Sequence, residues 1–268
     1  MRQDVYDRLP LAALDNHLDD IYSSAYSVSL FTDWREPMFN MLWLKSVVAE
    51  AAGSSYEAGA DVQHTGKTES AGLGKVKAAP AEIYGAVRSD GPRHPVPGMP
   101  TENCTAQLGE AGPWHERLPH FRLEFTPSNG QELQSEYIVP REHAVQALHA
   151  ISGMRERIAP LLQICEVRSI AADRHWMSPY YKRESIGIHF TWKDDWQAVR
   201  SVLPAIEERL AVFHARPHWG KLFDMSGQRV LGLYEKAANF RELIRQFDPQ
   251  GKFRNVYIDR IFGAILQQ

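Results

Sequence analysis

Five polar residues in the second half of the chain are spaced so that neighbouring strands can gather them: Glu166 and Arg168, His189 and Thr191, and Lys221. Strand side chains alternate between faces, so residues two apart share one. In SIGIHFTW (185–192), Ile186, Ile188, Phe190 and Trp192 form an apolar side, which leaves Ser185, Gly187, His189 and Thr191 on the other. In LLQICEVRSI (161–170), Cys165 and Val167 suit the apolar side and Glu166 and Arg168 the opposite one, although Leu162 and Ile164 share the parity of the charged pair. In ARPHWGKLF (215–223), Trp219 and Lys221 point one way and His218 and Gly220 the other, and alternation alone does not decide between them. One reading of the set is a lattice of weak ion pairs on a solvated sheet. The other is a site. A carboxylate and a guanidinium offer acceptors and forked donors to a polyhydroxylated ligand, and an imidazole beside an amine can manage a hydroxyl proton.

Periodicity shows the elements that would carry these residues. Residues 120–126 (HFRLEFT) read as a strand, 128–130 (SNG) as a turn, and 131–139 as a second strand stopped by Pro140. Val145, Leu148, Ile151, Met154 and Ile158 mark a helical stripe over 141–158. Strands over 161–170 and 185–193 follow, then a second stripe over 195–213 (Val199, Val202/Leu203, Ile206, Leu210, Phe213) and a strand over 215–223. The order β-α-β-β-α-β predicts an α+β domain with an antiparallel ferredoxin-like (split βαβ) sheet. Right-handed crossovers would put both helices on one face and leave the polar face open. Upstream, 11–22 reads as an amphipathic helix, with β-rich stretches at 25–32 and 39–48. Residues 50–118 are rich in Gly, Ser, Pro and Ala, and HPVPGMP (94–100) is a rigid connector. The expected organisation is a helical lead-in (1–24), a substrate-binding domain (25–223) and a C-terminal helical segment (224–268).

Composition closes off other classes. The 268 residues carry 30 Lys+Arg against 33 Asp+Glu, a net charge of -3, with 44% hydrophobic residues, the range of a soluble globular chain. No basic clustering calls for nucleic acid, and an ionic open face lacks the aromatics with which such sheets stack RNA bases. No run approaches the ~20 apolar residues of a membrane span, and MRQDVYDRLP lacks the apolar core of a signal peptide. Cys104 and Cys165 are too few for a disulfide framework or zinc site. A cytoplasmic setting without a metal is expected. GKT (66–68) is not a phosphate loop, since Asp61 stands where the first glycine belongs, and AGLGK (71–75) is weaker still. His94, His115 and His120 fall in loops and read as surface residues.

EVRSIAAD (166–173), SIGIHFTWK (185–193), RPHWGK (216–221) and FDPQGKFRN (247–255) resemble the C-terminal half of the FAD-dependent sugar-alcohol oxidases. These are the alditol and xylitol oxidases, within the wider aldonolactone-oxidase (D-arabinono-1,4-lactone oxidase) and vanillyl-alcohol-oxidase-type flavoprotein family. YSVSLFTDW (26–34), NCTAQLGEAGPWHERLPHFR (103–122) and QSEYIVPREHA (134–144) are similar as well, so the likeness covers nearly the whole chain and is weakest at about 49–80. HWGK is shared across the aldonolactone oxidases, whereas EVR followed by HFTW is more specific to the alditol branch. The resemblance implies a cap domain whose open face closes over the flavin ring. Glu166 and Arg168 would bind polyol hydroxyls, His189 and Thr191 would line the same pocket, and Lys221 would lie near the reacting hydroxyl and the flavin. A hydride would pass from a terminal carbinol carbon to FAD and two electrons on to dioxygen, giving an aldehyde and hydrogen peroxide. His189 and Lys221 would handle the hydroxyl proton, with Arg168 and Lys221 stabilising alkoxide charge. Substrates would be polyols of the xylitol or sorbitol class.

The resemblance also implies an N-terminal FAD-binding domain with a glycine-bearing pyrophosphate loop and a histidine bonded to the flavin. Neither is found in this sequence. The expectation is therefore an enzyme half that is inactive alone and needs an FAD-domain partner chain, against which 224–268 would pack. The alternatives are a non-catalytic remnant or polyol-binding domain, and aldonolactone specificity.

Overall fold

A computed structural model of the chain describes residues 1–48, 79–125 and 132–266. Among these residues nine strands form one sheet: β1 (Arg2–Pro10), β2 (Ser27–Thr32), β3 (Met38–Ser46), β4 (Glu82–Ile83), β5 (Ala86–Arg88), β6 (Leu133–Pro140), β7 (Leu162–Ile170), β8 (Ser185–Trp192) and β9 (Arg216–Pro217). Their order is β4-β5-β1-β3-β2-β7-β8-β6-β9, and every neighbouring pair is antiparallel. The helices are α1 (Leu14–Ser23), α2 (Ala144–Ser152), α3 (Arg155–Ile158), α4 (Trp196–Ala211), α5 (Gly227–Gly232), α6 (Ala237–Phe247) and α7 (Val256–Leu266). The run β6-α2-β7-β8-α4-β9 occupies the sheet as β7-β8-β6-β9. Each helix-connected strand pair is thus split by one antiparallel strand, which is the ferredoxin-like arrangement expected.

Apolar burial explains which way the sheet faces. Ile186, Ile188, Phe190 and Trp192 are fully buried, together with Leu148 and Ile151 of α2 and Val199, Ile206 and Leu210 of α4. Each such side chain is worth roughly 1.5–3 kcal/mol relative to exposure. Two polar groups within this core are paired across elements: Trp192 Nε1 donates to Ser135 Oγ (2.9 Å) and Tyr137 Oη to Glu207 (3.0 Å). Asp195 starts α4 by accepting from the Ala198 backbone amide, a standard N-cap. The parity conflict in β7 is resolved by a bulge. The register skips from Leu162 to Ile164, so the extra residue sends Leu162 into the helix-side core while Ile164 stays on the face of Glu166.

Several expectations require correction. The lead-in is helical only after Pro10. Residues 2–10 form β1, hydrogen-bonded between β5 and β3, and its acidic and amide residues hide a strand whose Val5, Tyr6 and Leu9 are buried. Residues 120–125 of HFRLEFT do not form a strand: among them only Phe121 makes an isolated bridge, to Cys104, and Leu123 is exposed. The helix over 141–158 breaks at Gly153, after which Met154 leaves the helical well (φ −105°, ψ 6°). The strand over 215–223 ends at Pro217, and the residues beyond it form a turn that stays hydrogen-bonded to β6. The SNG turn and the GKT and AGLGK stretches lie outside the described residues.

The face opposite the helices is divided. Over β1, β3 and β2, Val5, Phe31, Met41 and Trp43 join Ile164 in a second apolar cluster, covered by the segment that runs through Val96 and His120. Backbone bonds from Ser89 to Val5 and from Gly109 to Gln3 fasten that cover to β1. Over β7, β8 and β6 stands the polar set.

Candidate functional site

Strand register brings the polar residues into line. Phe31 of β2 pairs with Glu166 of β7, Glu166 with His189 of β8, and His189 with Glu136 of β6. In the adjacent row Ser29, Arg168, Gly187 and Ile138 follow one another, and Thr191 pairs with Gln134. Cross-strand neighbours stand about 4.5–5.5 Å apart, so two carboxylates flank the His189 ring. Lys221 arrives by a different route. The chain leaves β9 with the His218 amide on the Glu136 carbonyl (2.9 Å), turns so that the Lys221 amide meets the His218 carbonyl (3.2 Å), and returns with the Leu222 amide on the Gln134 carbonyl (2.8 Å). This turn, not strand alternation, delivers the Lys221 ammonium to the face.

Two linked groups result. Lys221 Nζ lies 2.5 Å from Glu136 Oε2 and 2.7 Å from His189 Nδ1. An ammonium can only donate, so His189 accepts at Nδ1 and carries its proton on Nε2, 3.2 Å from Thr191 Oγ1. In the second group, Lys45 donates to the Leu118 carbonyl and to His120 Nδ1 (2.9 Å), and His120 Nε2 donates to Glu166 Oε1 (3.1 Å). Arg168 bridges the two carboxylates, 3.3 Å from Glu136 Oε1 and 3.6 Å from Glu166 Oε2.

The electrostatics keep both carboxylates ionised. Burial works against the charge of Glu166, but His120, Arg168 and Ser29 outweigh it and hold the carboxyl at about 2. Glu136 is also buried, its side chain 2% exposed, yet the Arg168 and Lys221 cations hold it further below the usual carboxylate range. Burial lowers the Lys221 ammonium, and the hydrogen bond and charge of Glu136 oppose that shift. Lys45 is lowered to about 8, again by burial and against the pull of Glu166.

All five residues expected from the sequence, Glu166, Arg168, His189, Thr191 and Lys221, therefore come together on one face. Three others were not anticipated. Glu136 lies on the open side of β6 with Gln134, a parity legible in QSEYIV. His120 is a ligand of Glu166 and not a surface residue. Lys45 looked like an ordinary strand-end charge, and its partner lies 75 positions away. Among the described residues no group of three or more His, Cys, Asp and Glu is arranged to hold a metal ion, and no helix is long and apolar enough to cross a membrane.

A ferredoxin-like sheet that carries an ionised carboxylate–guanidinium pair beside a lysine–histidine pair has the chemistry to bind polar ligands and to exchange a proton. Comparison with known proteins narrows it. The family profile described as D-arabinono-1,4-lactone oxidase matches residues 127–261, about half of the chain, and the chain belongs to that family. It is 45% identical over 256 residues to an alditol oxidase of Streptomyces sp. (strain IKD472 / FERM P-14339), covering 96% of this chain and 54% of that protein. An L-gulono-1,4-lactone dehydrogenase of Mycobacterium tuberculosis is 29% identical over 133 residues (48% of this chain, 30% of that protein). An L-gulonolactone oxidase of Mus musculus is 24% identical over 139 residues (47% and 30%). The chain thus spans about half the length, or less, of these relatives. These three relatives carry the names of oxidoreductases of sugar alcohols and sugar lactones.

Proposed function

We propose that the open face is the substrate-binding surface of an FAD-linked sugar-alcohol oxidase, with residues 25–223 as the substrate domain and 224–268 turned toward an FAD-binding unit. The observation that carries this is the placement of ionised Glu166 and Arg168 one cross-strand step from the Lys221–His189 pair. Ionised Glu166 accepts hydrogen bonds from substrate hydroxyls, and Arg168 donates to the oxygens of the same chain of hydroxyls. Hydrogen bonds to charged groups contribute about 1.5–3 kcal/mol each. Thr191 and His189 border the reacting hydroxyl, and Lys221 directs its remaining N–H toward the hydroxyl oxygen. Once the Lys221–His189 pair has lost a proton, a step eased by the burial of Lys221, it has a free nitrogen for the hydroxyl proton. Arg168 and protonated Lys221 stabilise alkoxide charge.

The described residues fit one part of FAD. Cations beside a proton-handling pair suit its reacting end, where the flavin supplies a two-electron acceptor. They do not fit its pyrophosphate, which calls for a glycine-bearing turn entering a helix. Gly227, at the start of α5, is filled instead: a Cβ there would meet the backbone of Arg260 and Ile261 within 2.8 Å.

The test is direct. The chain alone, mixed with FAD and xylitol or sorbitol, is expected to give neither a bound-flavin spectrum nor peroxide, while calorimetry detects polyol binding that Glu166→Gln weakens. An FAD-binding unit supplied in trans is expected to yield peroxide and aldehyde. Binding of D-arabinono-1,4-lactone in preference to xylitol would move the reading to an aldonolactone oxidase. Polyol binding without peroxide once flavin is bound would make this a binding domain, and flavin turnover by the chain alone would overturn the division into two units.

A further inference from the structure

We infer that Glu136 is a positioning residue: its buried carboxylate, seated over Gly187, fixes which nitrogen of the Lys221–His189 pair holds the proton and keeps Arg168 beside Glu166. The inference concerns the proton-handling face proposed above and rests on that reading for its catalytic meaning, but its physical content is measurable without substrate or flavin.

Four observations converge. The Glu136 side chain is 2% exposed, so a hydrogen bond to bulk solvent is not what satisfies it, and a buried carboxylate must be paired. Its two oxygens divide the work: Oε2 accepts from Lys221 at 2.5 Å, and Oε1 takes Arg168 at 3.3 Å. Room for it is built into the next strand. A Cβ on Gly187 would stand 2.8 Å from Glu136 Oε1 and 2.9 Å from Ile170 Cδ1, so a side chain in the middle of β8 would push the carboxylate out of place. Finally, the turn that carries Lys221 hangs on the backbone carbonyls of Glu136 and Gln134. The position of the lysine backbone therefore does not depend on the carboxylate, whereas its charge does.

The consequence is a choice between two proton arrangements. With Lys221 an ammonium, His189 accepts at Nδ1 and is protonated at Nε2, which then points to Thr191. With Lys221 a neutral amine, the imidazole proton moves to Nδ1, donates to the lysine, and leaves Nε2 as a free base. A negative carboxylate 2.5 Å from Nζ favours the first arrangement. The other ionisable groups around Glu136 are Arg168 and Glu166 on β7, Tyr180 in the β7–β8 connection, and His218 at the head of the lysine turn. Of these, only Glu166 adds to the negative field, and its charge is already met by the Arg168 guanidinium and the His120 N–H.

The experiment uses the whole chain, labelled with 15N in histidine side chains and 13C in lysine, with His189 and Lys221 assigned through His189→Gln and Lys221→Arg. In the native chain His189 is expected as the Nε2–H tautomer. In Glu136→Gln the Lys221 titration midpoint is expected to fall by about one unit or more, and the Nδ1–H tautomer to appear at neutral pH. Glu136→Asp, which keeps the charge, should restore most of the native tautomer. Gly187→Ala, which keeps the carboxylate but crowds it, should produce a smaller shift in the same direction, and it decides the question should Glu136→Gln fail to fold. Native tautomer and Lys221 midpoint in folded Glu136→Gln, or in Gly187→Ala, would overturn the inference. Failure here alongside intact polyol binding would leave the proposed function standing. Success here without polyol binding would do the reverse.

Discussion

Glu166 and Glu136 each have their own lysine–histidine pair, and the two sets end differently. Around Glu166, Lys45 donates to His120 and His120 Nε2 to the carboxylate. The proton chain closes on a fixed charge, walled by Trp43 (5.1 Å) and Phe31 (5.5 Å) against the His120 ring, and Lys45 is 1% exposed. Around Glu136, Lys221 donates to both the carboxylate and His189, so among the described residues His189 Nε2 faces the Thr191 hydroxyl. The proton chain there opens onto a neutral group at the uncovered side. The same three residue types thus clamp one carboxylate with both histidine nitrogens engaged, and beside the other leave a histidine nitrogen that meets no charge. What separates them is the cover, residues 89–121, which lies over β1–β3 and stops short of β8.

The largest effect expected from that contrast lies in the open set. Lys221→Ala should reduce polyol oxidation, measured as peroxide with an FAD-binding unit supplied, by ~100-fold or more. Lys45→Ala should cost less than about threefold in the same assay. Comparable losses in the two variants would erase the functional distinction between the sets.

Glu166→Gln comes next, and it tests both roles of that residue. Loss of a charged acceptor should weaken xylitol binding by ~10-fold or more, read by calorimetry. Its carboxyl is held at about 2 against 4.5 unfolded. The folded state therefore binds fewer protons between those values, and stability present above pH 4.5 is lost as pH falls toward 2. At about 1.4 kcal/mol per unit, this amounts to roughly 3 kcal/mol at most. Acid unfolding followed by circular dichroism should be shallower in Glu166→Gln, and an unchanged acid limb would show that the His120 and Arg168 contacts do not stabilise the fold.

The polar face shows how far sequence reaches. Strand β8 could be read by alternation because its four inward residues are large and apolar without exception. The same rule stumbled on β7, where a one-residue bulge puts Leu162 and Ile164 on opposite sides. It also stumbled on Lys221, which a turn and not a strand delivers. Strand β1 was missed because Gln3 and Asp4, polar in sequence, are buried by residues far along the chain. Glu136 was within reach, since it shares the parity of Gln134 in a strand whose other residues are apolar or small. Lys45 and His120 were not, because their role depends on where the 89–121 cover lands. That placement is set by non-local contacts such as Gly109 to Gln3, for which no local pattern stands proxy.

Lys45 also gives the covered set a stability signature. Its ammonium is lowered from 10.5 to about 8 by burial, so between those values the unfolded chain holds the extra proton and stability rises with pH. The gain from this group is at most roughly 3 kcal/mol. Lys45→Met should remove that alkaline rise. It should also cost about 1–3 kcal/mol at pH 7, since the Leu118 carbonyl and His120 Nδ1 lose their donor. Urea unfolding at pH 7, 8.5 and 10 measures both, and an identical pH trend in native and variant chains would assign the rise elsewhere.

The smallest effect falls on His120, and it sharpens the comparison most. If the covered set serves only to hold Glu166 ionised, Arg168 should suffice for that at neutral pH, because its guanidinium lies 3.6 Å from the same carboxylate. His120→Gln keeps a donor for Glu166 and removes the chance of a full positive charge. Polyol affinity at pH 7 should then change by less than about twofold, while the acid midpoint of unfolding rises by a few tenths of a unit as Glu166 becomes easier to protonate. The alternative is that His120 passes protons between Lys45 and Glu166 during turnover. In that case the variant would bind xylitol normally yet slow oxidation, separating kcat from KM. A change in kcat alone would make the covered set a second proton path, whereas a shift confined to the acid midpoint leaves the mobile proton to Lys221 and His189.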